Sequence, residues 1–189
     1  MTNGSFFVII GIMIEIAQTF IPYGIMALQV AGVILLLALL FDRRGKLVSF
    51  AGQDATTLGF LLTLAAAGGS LFYSNVIGFE PCLLCWWQRI FMYPQIIMFT
   101  MAMWEKRTDI FLYSLPLSVI GTGVAIYQIL LPTLEKFGVA CVTSTGVSCA
   151  KLYVFAFGYI TIPVMSLTIF GLLILLAISN KLNKTNAGQ

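Results

Sequence analysis

Hydrophobic positions along this chain fall into long blocks rather than the short alternations of a half-buried strand. Four such blocks run from Thr57 to Ile77, Trp86 to Trp104, Ile110 to Leu131 and Tyr159 to Ser179. Each is close to the ~20 residues that carry a helix across a ~30 Å hydrocarbon core, so each predicts a spanning helix. Upstream lies a longer apolar tract, Phe6 to Phe41, whose 36 residues would make a helix about 54 Å long at ~1.5 Å per residue. Glu15, Gln18 and the Ile21-Pro22-Tyr23-Gly24 step interrupt it. They predict a segment to about Phe20 that lies along or dips into the bilayer, then a span from Pro22 to Phe41, with a tight two-helix hairpin as the alternative. The tract has no basic leader and no cleavage site after it, which argues against a removable signal peptide. Asn180 to Gln189 is polar and is expected to fray. The chain therefore divides into an N-terminal extension, 1–50, with one or two membrane helices, a four-span region, 51–180, and a polar tail, 181–189.

Composition agrees. Of 189 residues, 60% are hydrophobic and 9% charged, with a mean hydropathy of +1.00, against roughly 25% charged residues in soluble domains. This is an all-α integral membrane protein whose first partner is the lipid bilayer. A formal net charge of +3, thinly scattered, gives no footprint for nucleic acid. Placement of charge says more. If the four spans alternate, Arg43, Arg44, Lys46, Lys106, Arg107, Lys181 and Lys184 share one side, seven of the ten Lys and Arg. The positive-inside rule makes that side cytoplasmic. Cys82, Cys85, Cys141 and Cys149 then fall on the extracytoplasmic side, where disulfides persist.

The cysteines form two unlike pairs. In "FEPCLLCWWQR", Phe79 to Arg89, Cys82 and Cys85 follow Pro81. Read as a first helical residue, Pro81 puts both thiols in the first turn, beside unpaired backbone N–H groups that favour a thiolate. Arg89 lies one turn beyond Cys85 on the same face, where its guanidinium can stabilise a thiolate or an anionic oxygen. Cys141 and Cys149 lie in "CVTSTGVSC", inside a 27-residue loop, Pro132 to Gly158, whose small and polar residues include Gly146 and suggest a turn. Blander readings stand beside these. Four cysteines can hold zinc, but Cys141 and Cys149 are too far apart for a second knuckle and the chain has no histidine, so no metal is assigned. Two structural disulfides are possible, although a CxxC bridge closes a very small loop and stabilises little. Arg89 can snorkel to headgroups, Trp86, Trp87 and Tyr93 can be an interfacial belt, and Gly68-Gly69-Ser70 reads as a close helix contact. A membrane dithiol needs an electron acceptor. With no histidine for haem and no dinucleotide fingerprint, a lipid-soluble quinone is the natural two-electron sink.

"FEPCLLCWWQRIFMYPQ", "CVTSTGVSC" and "FGYITIPVMSL" together resemble the DsbB/BdbC family of disulfide bond formation proteins over about Thr57 to Ser179. The resemblance implies a four-helix transmembrane bundle around a quinone, in the bacterial cytoplasmic membrane. It also implies an enzyme that reoxidises a thioredoxin-like, DsbA-type thiol oxidase and passes the electrons to the membrane quinone pool, ubiquinone or menaquinone. By position, Cys85 resembles the cysteine that contacts the quinone and Cys82 its disulfide partner. Arg89 matches the quinone-binding arginine, with Trp86 as a neighbouring ring contact. Cys141 resembles the loop cysteine attacked by the partner, and Cys149 the one that passes electrons to the CxxC pair. The segment before about Phe50 lies outside the family core. Vitamin K epoxide reductases also combine a helical bundle, a CxxC and a loop pair, but there the loop pair comes first. A transporter or scaffold with structural disulfides would be expected to carry charges within its spans, and these have only Arg89, near one edge.

Overall fold

The computed structural model describes residues 3–42, 45–107, 109–137, 149 and 154–187. Among them the elements are helical: α1 (Asn3–Phe41), α2 (Lys46–Gln53), α3 (Ala55–Leu71) continued by a wider turn at Phe72–Val76, α4 (Leu83–Trp104), α5 (Phe111–Leu134) ending in a tight turn at Glu135–Phe137, and α6 (Ile162–Ala187). Gln18–Phe41, Ala55–Val76, Phe111–Leu134 and Ile162–Asn186 are each long and apolar enough to cross a membrane. α4 is as long but less apolar, because it carries Gln88, Arg89 and Gln95. Gln88 and Gln95 are buried, so much of its polarity is turned into the bundle.

α3, α4, α5 and α6 form the bundle. α4 lies between α3 and α5, while α6 packs on both α5 and α3. Two glycines let the helices close. A Cβ on Gly59 would sit 2.8 Å from the Phe99 ring, and one on Gly121 would collide with Phe170; both rings are fully buried. Small residues at such crossings replace the hydrophobic drive that lipid removes. A polar fastening adds to them. Gln95 donates to the Phe91 carbonyl at 2.9 Å and accepts from Ser114 at 2.6 Å and Ser118 at 3.3 Å, joining α4 to α5.

Several expectations change. The helix does not break at Pro22, since α1 runs on through it. Proline removes one backbone bond, but a break in hydrocarbon would leave more groups unpaired, so continuation costs less. From Asn180 to Ala187 the segment does not fray. Asn180 is buried and donates to the Gly52 carbonyl at 3.1 Å, and Lys184 meets Asp109 at 2.7 Å, so α6 stays helical to Ala187. The acceptor Gly52 belongs to α2, an element with no block of its own in the hydropathy pattern. α6 also begins at Ile162 rather than Tyr159, because the chain first turns through Phe157 and Gly158 at positive φ, closing a bridge between Ala156 and Ile160. Finally, Gly68 and Gly69 are not a close helix contact, as nothing lies within 4 Å of a Cβ at either.

Candidate functional site

The site begins where α3 gives way to α4. After Phe72–Val76 the chain reverses at Gly78, φ +84°, a conformation glycine adopts freely, and reaches Pro81 and Cys82. Pro81 is not the first helical residue, as the spacing suggested. Cys82 has extended backbone and caps α4, its Sγ accepting from the Cys85 N–H at 3.4 Å. A thiol thus takes the place that Ser or Asp usually fills at a helix start.

The two sulfurs lie 3.0 Å apart. Gln128 of α5 donates to both, at 3.3 Å to Cys82 and 3.5 Å to Cys85. Its own carbonyl oxygen accepts from Gln88 at 2.8 Å, which turns the amide so that its N–H groups face sulfur. Gln88 and Gln128 are both buried. The apolar run of α4 starts at Trp86, so both thiols stand at its mouth. There the hydrogen bond from Cys82 holds the Cys85 thiol below its ordinary range, helped by Gln128 and Arg89 and opposed by burial. The same bond and burial push Cys82 up. The pair is therefore asymmetric, with Cys85 the readier thiolate.

Arg89 is fixed from α3. Its Nε donates to Ser70 Oγ at 2.9 Å and its Nη2 to the Ser70 carbonyl at 3.1 Å. Its guanidinium also lies 5.2 Å over the Trp86 ring, a cation–π distance. Trp86 is itself half exposed and does not line the cavity; it reaches the site through Arg89. Cys149 is buried against Cys82 and Leu131, with Cys85 and Leu84 beside them. Cys141 and Gly146 lie outside the described residues.

Cys85 and Arg89 also line a cavity of about 300 Å³. Its other walls include Gly69, Ser70 and Tyr73 from the α3 side, Gln88, Met92 and Tyr93 from α4, and Met165 and Ile169 from α6. Glu80 stands among the lining residues. The hydroxyls of Tyr73 and Tyr93 are buried with no hydrogen-bond partner among the described residues. Tyr93, readable as a belt residue, thus belongs to the cavity, and so do Gly69 and Ser70. Gln88, Gln128 and Tyr73 carried no signal in the sequence. Gln128 lies 43 positions from Cys85, and only the packing of α5 on α4 brings it to sulfur. Among the described residues no cluster of His, Cys, Asp or Glu could hold a metal.

The family described as "Disulfide bond formation protein DsbB" matches residues 53–179. Among curated relatives, "SPbeta prophage-derived disulfide bond formation protein B" of Bacillus subtilis is 38% identical over 131 residues, 67% of this chain and 88% of that protein. "Probable disulfide formation protein C 1" of Bacillus anthracis is 37% identical over 66% of this chain and 86% of its own length. "Probable disulfide formation protein" of Chlamydia pneumoniae is 32% identical over 71% and 97%. No solved structure matches. With a half-buried dithiol at a helix start, a further cysteine packed on it and this match over most of its length, the chain belongs to the DsbB family of disulfide bond formation proteins.

Proposed function

We propose that this membrane disulfide-forming oxidoreductase oxidises the dithiol of an extracytoplasmic thioredoxin-like partner of the DsbA type and delivers the electrons to a membrane quinone at the α3–α4–α6 cavity. The observation that carries the reading is the position of Cys85, which is both half of the dithiol and part of the cavity wall, with Arg89 beside it. The cavity residues fit a quinone. They offer apolar walls, a fixed guanidinium, and two buried tyrosine hydroxyls that lack partners, as a flat ring with polar oxygens needs. A quinone held there supplies an acceptor for two electrons and two protons.

The chain's own thiols do the rest by exchange. The partner's thiolate attacks Cys141 of a Cys141–Cys149 disulfide, forming a mixed disulfide and releasing Cys149 as thiolate. The partner's second thiolate breaks that mixed disulfide, releasing Cys141 and leaving the partner oxidised. Cys149, packed on Cys82, attacks Cys82 of the oxidised CxxC and releases the Cys85 thiolate. Cys141 then displaces Cys82, restoring the loop disulfide, so that the two electrons rest on Cys82 and Cys85. Gln128 and the helix start hold Cys85 as an anion at the cavity wall, and Arg89 offers a positive charge to an oxygen beside it. Glu80, an acid at the wall, can pass a proton inward. Cysteines on the extracytoplasmic side of the bacterial inner membrane accord with the basic residues at the other helix ends.

The test uses purified protein in detergent with decylubiquinone or a menaquinone analogue and a reduced thioredoxin-like protein. One quinone absorbance should be lost per partner disulfide formed. Partner oxidation that leaves quinone absorbance unchanged would refute the assignment.

A further inference from the structure

The family match begins at residue 53, so α1 and nearly all of α2 lie outside it. Even so, α1 reaches the redox cavity. Ile21, Gly24, Ile25 and Leu28 all line it, and their spacing of three and four places them on one helix face. Ile25 is buried in a cluster with Tyr73, Ile160 and Met165, so this face meets one of the tyrosines with an unpartnered hydroxyl.

The helix is held in place. Gln29 donates to Thr168 Oγ1 of α6 at 3.1 Å and accepts from the Tyr159 hydroxyl at 2.7 Å. Tyr23 meets Phe157 edge to face at 4.9 Å. One turn further, a Cβ on Gly32 would come within 3.0 Å of Leu172, so α1 lies close on α6 there. Leu35 and Leu39 complete the contact by joining the main core. Four independent fixings between Tyr23 and Leu39 make this part of α1 a set wall, not a loosely attached anchor.

We propose that α1 is the outer wall of the redox cavity and that the face bearing Ile21, Gly24, Ile25 and Leu28 decides how wide a ring the cavity admits, a reading that rests on the quinone assignment above. Gly24 is the informative position. It lines the cavity, yet nothing lies within 4 Å of a Cβ there, so the missing side chain leaves space at the wall. Replacing a helical glycine does not cost helix propensity, which separates narrowing of the cavity from unfolding of α1.

The experiment measures binding and exchange separately in the full-length protein in detergent. Half-saturating concentrations of a one-ring benzoquinone and a two-ring naphthoquinone, each with the same short tail, are read from quenching of tryptophan emission. Separately, a single partner oxidation by the pre-oxidised protein is followed without quinone. Gly24→Phe should weaken naphthoquinone binding by about tenfold or more, as a bulky side chain filling the space at the wall does. It should change benzoquinone binding much less and leave partner oxidation unaltered. Gly24→Leu should give the same order of preference with a smaller change, which guards against a local failure of the bulkier variant. Unchanged binding of both rings, or an equal loss of both, would overturn the wall assignment. If the unaltered protein bound neither ring, the quinone reading itself would fall and this inference with it.

Discussion

Two buried glutamine networks join α4 to α5, and they end differently. Near the middle of the helices, Gln95 is closed on itself, with both its amide N–H and its oxygen engaged by Phe91, Ser114 and Ser118. About two turns nearer the start of α4, Gln88 and Gln128 form an amide–amide pair, and there the chain of donors runs on to the sulfurs of Cys82 and Cys85. The same residue type, at the same interface and equally buried, serves packing in one place and a thiolate in the other. What distinguishes them is whether the last donor meets an atom whose charge changes.

The largest effect should come at the atoms where the second network ends. Cys82→Ser and Cys85→Ser should each abolish quinone-dependent oxidation of a dithiol partner yet insert normally, since apolar spans do not need a thiol to enter the membrane. Wild-type turnover in either variant would break the relay.

Next comes Arg89→Lys, which keeps the charge but loses the planar fork whose Nε and Nη2 both donate to Ser70. Losing one charge-assisted contact of roughly 1.5 to 3 kcal/mol should raise the quinone concentration for half-maximal turnover about tenfold to a hundredfold. Single partner oxidation by pre-oxidised protein should survive. An unchanged quinone dependence would return Arg89 to the role of headgroup anchor.

The comparison itself is sharpened by changing the two glutamines in parallel. Gln128→Leu removes a donor that favours the anion, so the thiolate absorbance of Cys85 should appear only at higher pH, and turnover near neutrality should fall about tenfold. Gln95→Leu strips Ser114 and Ser118 of their acceptor. It should lower the unfolding temperature, at a cost of about 1 to 3 kcal/mol, while leaving both the thiolate titration and turnover within about twofold. A Gln95 variant that shifted the thiolate titration would erase the distinction.

Much of this was legible in the sequence, and the parts that were not share a cause. The apolar blocks located α3, α4, α5 and the start of α6 to within a few residues, because in lipid every backbone group must be paired within its own helix, but they missed the continuation of α6 past Ser179 to Ala187. The CxxC beside Arg89 stood out because its residues are neighbours in the chain. Gln128 did not, since its meeting with Cys85 depends on how α5 packs. Pro22 misled for a related reason: its local cost is real, but the membrane's cost for a broken helix is larger. Gly68 and Gly69 look like packing glycines in a one-dimensional reading. In space the packing falls to Gly59 and Gly121, and Gly69 opens onto the cavity.

The account turns on Cys85 being the point at which the thiol relay meets the cavity. Alkylation of the reduced Cys82→Ser variant, mapped residue by residue by mass spectrometry with and without saturating decylubiquinone, examines that point directly. Quinone should slow modification of Cys85 at least about tenfold, as expected for a thiol shielded by a ligand bound well above its dissociation constant, and leave Cys141 unaffected. Equal modification of Cys85 with and without quinone would contradict the account.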